Sequence, residues 1–163
     1  MDHLHQLASQ SKEAARALAL YDAQTKNRGL EAIAAALLAG CDEILAANAQ
    51  DLAEAETNGV RPTMLDRLKL TRARVEAMAA GVLQVKELPD PLGEVMETLC
   101  RPNGMKIEKV RVPLGVIGII YEARPNVTVD SAVLCLKSGN AAFLRGGKEA
   151  FRSNRVLAKI MRG

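Results

Sequence analysis

Two short apolar runs separated by a helical pattern constrain the fold of this 163-residue chain more than any other feature. The first run covers residues 115–121 and the second covers residues 141–144, and a polar turn follows each of them. The residues between the runs repeat their apolar positions at helix spacing, which predicts a parallel βαβ unit. Because ligands bind beside the turns at the carboxyl ends of such strands, we expect function to lie in these two turns.

A parallel sheet of only two strands predicts that something else completes the fold. Parallel strands are normally buried on both faces, in sheets of several strands. The final helical pattern, residues 149–162, cannot cover the free edge of such a sheet. We therefore expect an α/β chain that is the front part of a longer domain, or one that completes its sheet with a partner.

The first half of the chain, to about residue 86, has the apolar spacing of several amphipathic helices. Thr25 and Thr71 each precede such a pattern and are predicted to be N-caps. A helix breaker at 89–93, with two prolines and a glycine, marks an organisational boundary. The apolar period changes beyond it.

Residues 94–99 and 105–112 alternate apolar and polar side chains, which predicts two β-strands. The segment between them, Arg101-Pro102-Asn103-Gly104, has the composition of a hairpin turn. An isolated hairpin is barely stable, so this one is expected to pack against something.

The composition excludes several classes of function. Hydrophobic residues make up 48% of the chain, aromatic residues only 2%, and the net charge is +3. Stacking on single-stranded nucleic acid is therefore not expected, and no apolar run is long enough to span a membrane. Three widely spaced cysteines, Cys41, Cys100 and Cys135, indicate reduced thiols rather than a disulfide framework or a metal site. A cytoplasmic protein without a metal is the expectation.

The turn after the first run, 121–126, has the composition of an anion or oxyanion site. Pro125 suits the first turn of a helix, whose free N–H groups attract negative charge. Asn126 adds a side-chain amide donor at the same point. Two simpler interpretations remain open: Asn126 only caps the turn, and Arg124 pairs with a surface carboxylate instead of a substrate phosphate.

The turn after the second run, Arg145-Gly146-Gly147-Lys148-Glu149, has the composition of a nucleotide site. Two glycines let a ligand approach the backbone, and two flanking cations can hold a phosphate. Glu149 can accept hydrogen bonds from ribose hydroxyls. The cations would favour NADP over NAD, although a solvated basic turn explains the same residues. The glycines at 115 and 118 lie inside a strand and do not form a G-x-G-x-x-G fingerprint.

A family resemblance rests on two long strings, VPLGVIGIIYEARPNVTVD at 112–130 and LCLKSGNAAFLRGGKE at 134–149. Both resemble the gamma-glutamyl phosphate reductases, also called glutamate-5-semialdehyde dehydrogenases, of the aldehyde dehydrogenase superfamily. Shorter matches at 47–51, 64–68 and 90–93 extend the resemblance over nearly the whole chain.

The resemblance implies NADPH-dependent reduction of L-glutamyl 5-phosphate to L-glutamate 5-semialdehyde and phosphate, a step of proline biosynthesis. It implies that Asn126 stabilises an oxyanion and that Arg124 holds the substrate. The implied cofactor-binding residues are Tyr121, Glu122, Ala123, Arg145, Gly146, Gly147, Lys148 and Glu149.

The resemblance also implies an organisation. Residues 1–93 would be the helical part of the cofactor-binding domain, 94–112 a hairpin through which subunits form a homo-oligomer, and 113–163 the start of a Rossmann-like NADP-binding sheet. Members of the family are considerably longer, and none of the three cysteines matches their nucleophile. This chain alone is therefore expected to be inactive.

Two further expectations concern partners and alternatives. A glutamate 5-kinase would be a functional partner, since it makes the substrate, whereas a fused kinase domain is not expected before a helix that begins at the N-terminus. The alternative to an enzyme part is a short module without catalytic activity that binds NADPH or docks onto other subunits.

Overall fold

The computed structural model describes the backbone of residues 2–163 and the side chains of residues 4–163. The α-helices are α1 (Asp2–Leu18), α2 (Ala23–Ala39), α3 (Cys41–Thr57), α4 (Pro62–Leu68), α5 (Arg72–Glu87), α6 (Pro125–Lys137) and α7 (Phe151–Arg162). The strands are β1 (Val95–Cys100), β2 (Lys106–Val110), β3 (Val116–Ile120) and β4 (Ala141–Arg145), and a short 3-10 helix covers Lys148–Ala150. Helices come first, then a hairpin, then a βαβα unit, as the sequence predicts.

The core is built between helices. Apolar side chains three, four and seven residues apart place one face of α2 against one face of α5, and α6 and α7 close the cluster. Its most buried members, each no more than 2% exposed, are Leu30, Leu37, Ile44, Val75, Ala79, Val82, Val129, Val133 and Leu157. Full burial of one Leu or Val side chain stabilises the fold by about 1.5–3 kcal/mol, so this cluster holds the helices around the sheet.

Two helix starts test the predicted N-caps. Thr71 caps α5, with its hydroxyl accepting from the backbone N–H of Arg74. The expected cap at Thr25 is wrong, because α2 begins two residues earlier and Asp22 caps it. The Asp22 carboxylate accepts from the Thr25 backbone N–H at 2.7 Å, and hydrogen bonding to Thr25 lowers the Asp22 pKa. Aspartate and threonine are both good N-caps, and because Asp22 and Thr25 lie only three positions apart in the sequence, the apolar pattern does not show which of them caps α2.

The hairpin predicted at 94–112 forms between β1 and β2. The strands are antiparallel, with Leu99 opposite Ile107, and Gly104 adopts a φ of +84° in the turn. Every residue of both strands is exposed, and within residues 2–163 neither strand pairs with any other. The hairpin thus lacks the packing that an isolated hairpin requires.

The βαβ unit has the parallel pairing that the sequence predicts. Ile117 lies opposite Ala142 and Ile119 opposite Leu144, while α1 and α6 both pack against β4. Val116 and Ile120 remain 38% and 82% exposed. Apolar side chains exposed along a two-stranded parallel sheet indicate that further structure covers them in the complete fold.

Two buried lysines make polar contacts in the helical part of the chain: Lys26 reaches the segment before the hairpin, and Lys137 joins α6 to α2 and α5. Lys26 Nζ on α2 pairs with Asp90 at 2.5 Å. Lys137 Nζ on α6 donates to Asn27 Oδ1 at 2.8 Å and to the Lys86 carbonyl at 2.7 Å. Burial lowers the Lys137 pKa, because the charged ammonium loses hydration there. These polar contacts fix α6, and with it the turn at its start, against α2 and α5.

Candidate functional site

The turns after β3 and β4 lie against each other. The Tyr121 N–H donates to the Arg145 carbonyl at 3.0 Å, extending the parallel ladder into both turns. A Cβ on Gly147 would lie 2.9 Å from the Ala123 nitrogen, and one on Gly146 would lie 2.2 Å from Asn154 Nδ2. Only glycine fits at these two positions without a shift of neighbouring atoms. The two predicted loops are therefore in contact at the carboxyl ends of the strands, where ligands bind in such folds.

A cavity of about 1340 Å³ opens on one side of this site. We call the turn after β3 (121–126) the first turn and the turn after β4 (145–149) the second turn. The cavity lining includes Tyr121 from the first turn and Arg145, Gly146, Gly147 and Lys148 from the second turn. Helix α7 adds Asn154, Arg155 and Arg162, and α1 adds small apolar side chains. Among the described residues, Arg145, Lys148 and Arg155 have no carboxylate within ion-pair distance. The cavity is thus large, mostly apolar and lined in part by cations without ionic partners among the described residues, which suits an anionic ligand that also has apolar surface.

Three hydrogen-bonded side chains hold the wall of this cavity. Thr128 Oγ1 donates to Asn154 Oδ1 at 2.8 Å, and Tyr121 Oη lies 2.5 Å from Thr128 Oγ1. Because the single threonine proton is used on Asn154, Tyr121 is the donor in the shorter contact. The chain of contacts joins the first turn to α6 and α7, and it fixes the Tyr121 ring beside Gly146.

A second cleft, of about 530 Å³, opens on the other side of the first turn. Its charged and polar lining consists of Asp66, Arg67, Lys69, Arg74, Arg124, Asn126 and Asp130. The Nε atom of Arg124 is buried there without an acceptor among the described residues. Asn126 Nδ2 donates to Asp130 Oδ2 at 3.2 Å. Burial raises the Asp130 pKa, and the hydrogen bond from Asn126 opposes that rise.

The structure separates the predicted residues of the first turn. Tyr121 lines the large cavity, whereas Arg124 and Asn126 line the smaller cleft. Ala123 is buried, 4% exposed, and neither Ala123 nor Glu122 lines either opening. Glu122 is exposed and pairs with Arg67 at 3.5 Å, a weak contact in water. The turn is therefore a partition between two openings.

The predicted residues of the second turn remain together. Arg145 ends β4, Gly146 and Gly147 contact the first turn, and Lys148 and Glu149 lie in the short 3-10 helix. A Cβ on Gly147 would lie 3.0 Å from a Glu149 carboxylate oxygen. Glu149 is therefore close to Gly147, although it is not among the residues that line the cavity.

Sequence reasoning missed several residues of the two openings, among them Asp130, Thr128, Asn154 and Lys69. Asp130 follows Asn126 by four positions on a helix, so this neighbour could have been found from spacing alone. Asn154 and Lys69 come from elements distant along the chain, whereas Thr128 follows Asn126 by two positions on α6 and reaches the site by its contact with Asn154. No local pattern marks them, because only the packing of α6 and α7 and of the α4–α5 loop brings them to the site.

None of the cysteines lines either opening. Cys41 and Cys135 are buried and Cys100 is exposed on the hairpin. Burial raises the pKa of the Cys135 thiol, which lowers its nucleophilicity. Within the described part of the chain, no group of three or more metal-ligating side chains is found, and no helix is long and apolar enough to cross a membrane.

Comparison with known proteins gives similar sequences over nearly the whole chain. A gamma-glutamyl phosphate reductase of Rhodopseudomonas palustris (strain HaA2) is 58% identical over 154 residues, which are 94% of this chain and 36% of the relative. Another, of Desulforamulus reducens, is 53% identical over 162 residues, 99% of this chain and 39% of the relative. The chain thus spans little more than a third of the length of these relatives, and it matches their N-terminal part. No family model matches the chain.

Solved structures of gamma-glutamyl phosphate reductases also resemble the chain. The crystal structure of gamma-glutamyl phosphate reductase from Thermotoga maritima superposes with a TM-score of 0.95 at 42% identity, over 98% of this chain and 38% of that one. The crystal structure of gamma-glutamyl phosphate reductase from Saccharomyces cerevisiae superposes with a TM-score of 0.91 at 36% identity, over 96% of this chain and 40% of that chain. A putative aldehyde dehydrogenase from Bacillus subtilis, 17% identical with a TM-score of 0.72, shows the shared fold. The resemblance to gamma-glutamyl phosphate reductases and the aldehyde dehydrogenase-like fold are confirmed.

Proposed function

We propose that this chain supplies the cofactor-binding N-terminal part of a gamma-glutamyl phosphate reductase. The whole enzyme would reduce L-glutamyl 5-phosphate with NADPH to L-glutamate 5-semialdehyde and phosphate, in the cytoplasm, for proline biosynthesis. The observation that supports this most strongly is the partition formed by 121–126, with a large basic cavity on one side and a small charged cleft on the other. A hydride donor and an acyl substrate need two such openings that meet at one turn.

The large cavity has the properties of a dinucleotide site. Gly146 and Gly147 keep the backbone free of side chains where a ribose or phosphate would approach. Arg145 and Lys148 supply positive charge without a competing carboxylate among the described residues, and Glu149 supplies an acceptor for ribose hydroxyls. Two cations at this point favour NADPH over NADH, since the 2′-phosphate adds negative charge there. The cofactor, when bound, would supply the hydride.

Asn126 would act on the substrate side. Its side-chain amide lies at the first turn of α6, where the helix dipole also favours negative charge. An amide donor at that point can stabilise the oxyanion that forms when a thiolate attacks the acyl phosphate. We assign that thiolate to the part of the enzyme that this chain does not span, since none of its own cysteines lines either opening.

The hairpin would join subunits. Its strands are exposed along their whole length, and Val95, Leu99, Ile107 and Val110 are each 39–46% exposed. A homo-oligomer in which a neighbouring subunit extends or covers this ribbon would bury those side chains. A glutamate 5-kinase would be the supplier of the acyl phosphate. A module without catalytic activity that docks onto subunits through the same hairpin is the alternative.

The reverse reaction tests the proposed function. The chain would be completed with the remaining two-thirds of a full-length relative, such as the Rhodopseudomonas palustris protein, and this fusion is called the completed enzyme below. We expect it to reduce NADP⁺ with L-glutamate 5-semialdehyde only when inorganic phosphate is present, because phosphate releases the acyl group. NADP⁺ reduction without phosphate would indicate a hydrolytic aldehyde dehydrogenase, and a correctly folded but inactive fusion would favour the docking module.

A further inference from the structure

The smaller cleft contains more charge than the chemistry at Asn126 requires. Four basic side chains and two carboxylates line its 530 Å³, which is larger than an oxyanion pocket needs to be. Some of these groups are already used. Arg74 donates to the carbonyls of Asp66 and Lys69 and pairs with the Asp66 carboxylate at 3.0 Å, so it holds the α4–α5 loop. Arg67 pairs with Glu122.

Three charged groups of the cleft remain without an ionic partner among the described residues. They are the guanidinium of Arg124, the ammonium of Lys69 and the carboxylate of Asp130, whose hydrogen bond comes from the neutral amide of Asn126. The Arg124 Nε is also buried without an acceptor, and a buried unpaired donor costs about 1–3 kcal/mol. Such a donor is expected to hydrogen-bond to a ligand when one binds.

The unpaired charges of the cleft have both signs, and this favours one type of ligand. A phosphate dianion would gain from Arg124 and Lys69 but would be repelled by Asp130, which lies directly beside Asn126. The α-amino acid group is a zwitterion and matches both signs, with its carboxylate toward the cations and its ammonium toward Asp130. Opposite charges in one small cleft therefore fit an amino acid better than they fit phosphate.

We propose that this cleft is the subsite for the α-amino acid end of the substrate, with Asp130 accepting from the α-ammonium and Lys69 and Arg124 binding the α-carboxylate. The inference rests on the proposed function, because it places the reacting carbonyl at Asn126. In an extended glutamyl chain, the three carbon–carbon bonds from that carbonyl to the α-carbon span about 4 Å. Asp130 Oδ2 lies 3.2 Å from the Asn126 amide nitrogen, so a substrate of this length reaches it.

Truncated aldehydes provide the test for Asp130. The completed enzyme would be assayed with L-glutamate 5-semialdehyde and with 5-oxopentanoate, which lacks only the α-ammonium. In Asp130→Asn, we expect the ratio of kcat/KM for the two aldehydes to fall by about tenfold or more, since a charge-assisted hydrogen bond is lost for one substrate only. Any disturbance of Asn126 affects both aldehydes equally and leaves the ratio unchanged. Glu76→Gln, an exposed carboxylate of α5 outside the cleft, is the matched control.

Lys69 gives an independent test on an exposed side chain whose replacement leaves the core untouched. In Lys69→Met, kcat/KM for the semialdehyde should fall about tenfold relative to kcat/KM for 4-aminobutanal, which lacks only the α-carboxylate. Lys12→Met, on an exposed position of α1 outside the cleft, should leave that ratio unchanged.

The outcomes separate the subsite from the proposed function. Ratios that stay within twofold of the unsubstituted enzyme in both Asp130→Asn and Lys69→Met, while the phosphate-dependent reaction persists, would overturn the subsite and leave the function standing. A completed enzyme that folds but shows no phosphate-dependent reaction would overturn the function itself, and the subsite with it.

Discussion

The Asn126 side chain makes one hydrogen bond among the described residues, to Asp130, and this leaves its second amide proton without an acceptor there. That free proton, at the first turn of α6, is the one that can donate to an oxyanion. Sequence reasoning singled out Asn126, Arg124 and Arg145 because each ends or follows a strand that the apolar pattern marks, and their roles stay predictions. It could not find Thr128 and Asn154, whose contact joins residues 26 positions apart and depends on how α6 and α7 pack.

Replacing Asn126 by alanine in the completed enzyme should lower kcat by about 10²–10³ with a modest change in KM, because the donor acts when the oxyanion forms. Steady-state kinetics with saturating cofactor measure both constants. An effect on KM alone would show that Asn126 binds the ground state and is not an oxyanion donor.

The three thiols of this chain should differ in their reactivity. Cys100 is exposed, whereas Cys41 and Cys135 are buried, and burial raises the Cys135 pKa. At neutral pH, iodoacetamide should therefore alkylate Cys100 alone in the folded chain, and all three after unfolding, as peptide mass spectrometry would show. Rapid alkylation of Cys135 in the folded chain would mean that α6 is not packed as described.

At the level of secondary structure, the elements followed from the sequence more closely than their ends did. The change of apolar period at 89–93 correctly separates the first five helices from the hairpin, because burial on one face imposes a period of 3.6 or 2. The sequence did not predict where α2 begins, since Asp22 and Thr25 are both good N-caps. Sequence patterns also contain no signal for what would cover the exposed hairpin.

Two glycines, one inside a helix and one in the second turn, should respond oppositely to substitution. Gly81 lies inside α5 with nothing within 4 Å of a Cβ, so Gly81→Ala should stabilise the chain by about 1 kcal/mol. Gly147 lies in the second turn, where a Cβ would approach the Ala123 backbone nitrogen at 2.9 Å. Gly147→Ala should therefore lower the unfolding midpoint and weaken NADPH binding in the completed enzyme.

Chemical denaturation of both variants, with NADPH titration of the second, measures these effects. Gly147→Ala with unchanged stability and affinity would show that the two turns do not contact each other as described.

The hairpin should control assembly and leave the fold unchanged. Replacing residues 96–109 of the completed enzyme by a short glycine–serine link removes exposed strands that contribute nothing to the helical core. We expect the helical circular dichroism to remain, while light scattering shows a smaller oligomer. An unchanged mass would mean that the subunits associate through another surface.

The whole chain combines a well-packed helical core with an incomplete sheet. Leu114 and Ile120 are each more than 80% exposed, on or beside the only parallel strand pair in the described residues. The count of parallel strands predicts this incompleteness from sequence, and the relatives agree, because the chain spans 36–39% of their length. The residues of the chain contain no pattern for what would cover these strand faces, because an exposed apolar side chain does not specify its neighbour.

The exposed strand faces should make this chain associate when it is alone. Apolar patches on a free sheet edge favour self-association. Sedimentation of the 163-residue chain should therefore show a mass that rises with protein concentration, and Ile120→Lys should reduce that rise. A strict monomer at all concentrations would indicate that these faces are covered within the chain itself.

The preference for NADPH over NADH tests directly the proposal that the large cavity binds NADPH. In the completed enzyme, the ratio of kcat/KM for NADPH to that for NADH would be compared before and after replacing Arg145 and Lys148 together by alanine. Lys12→Ala with Arg16→Ala, two exposed cations of α1 that line neither opening, is the control of equal charge. We predict that the preference for NADPH falls about 10- to 100-fold in the first pair and not in the control. A preference that survives the loss of both cations would contradict the assignment of the cavity as an NADPH site.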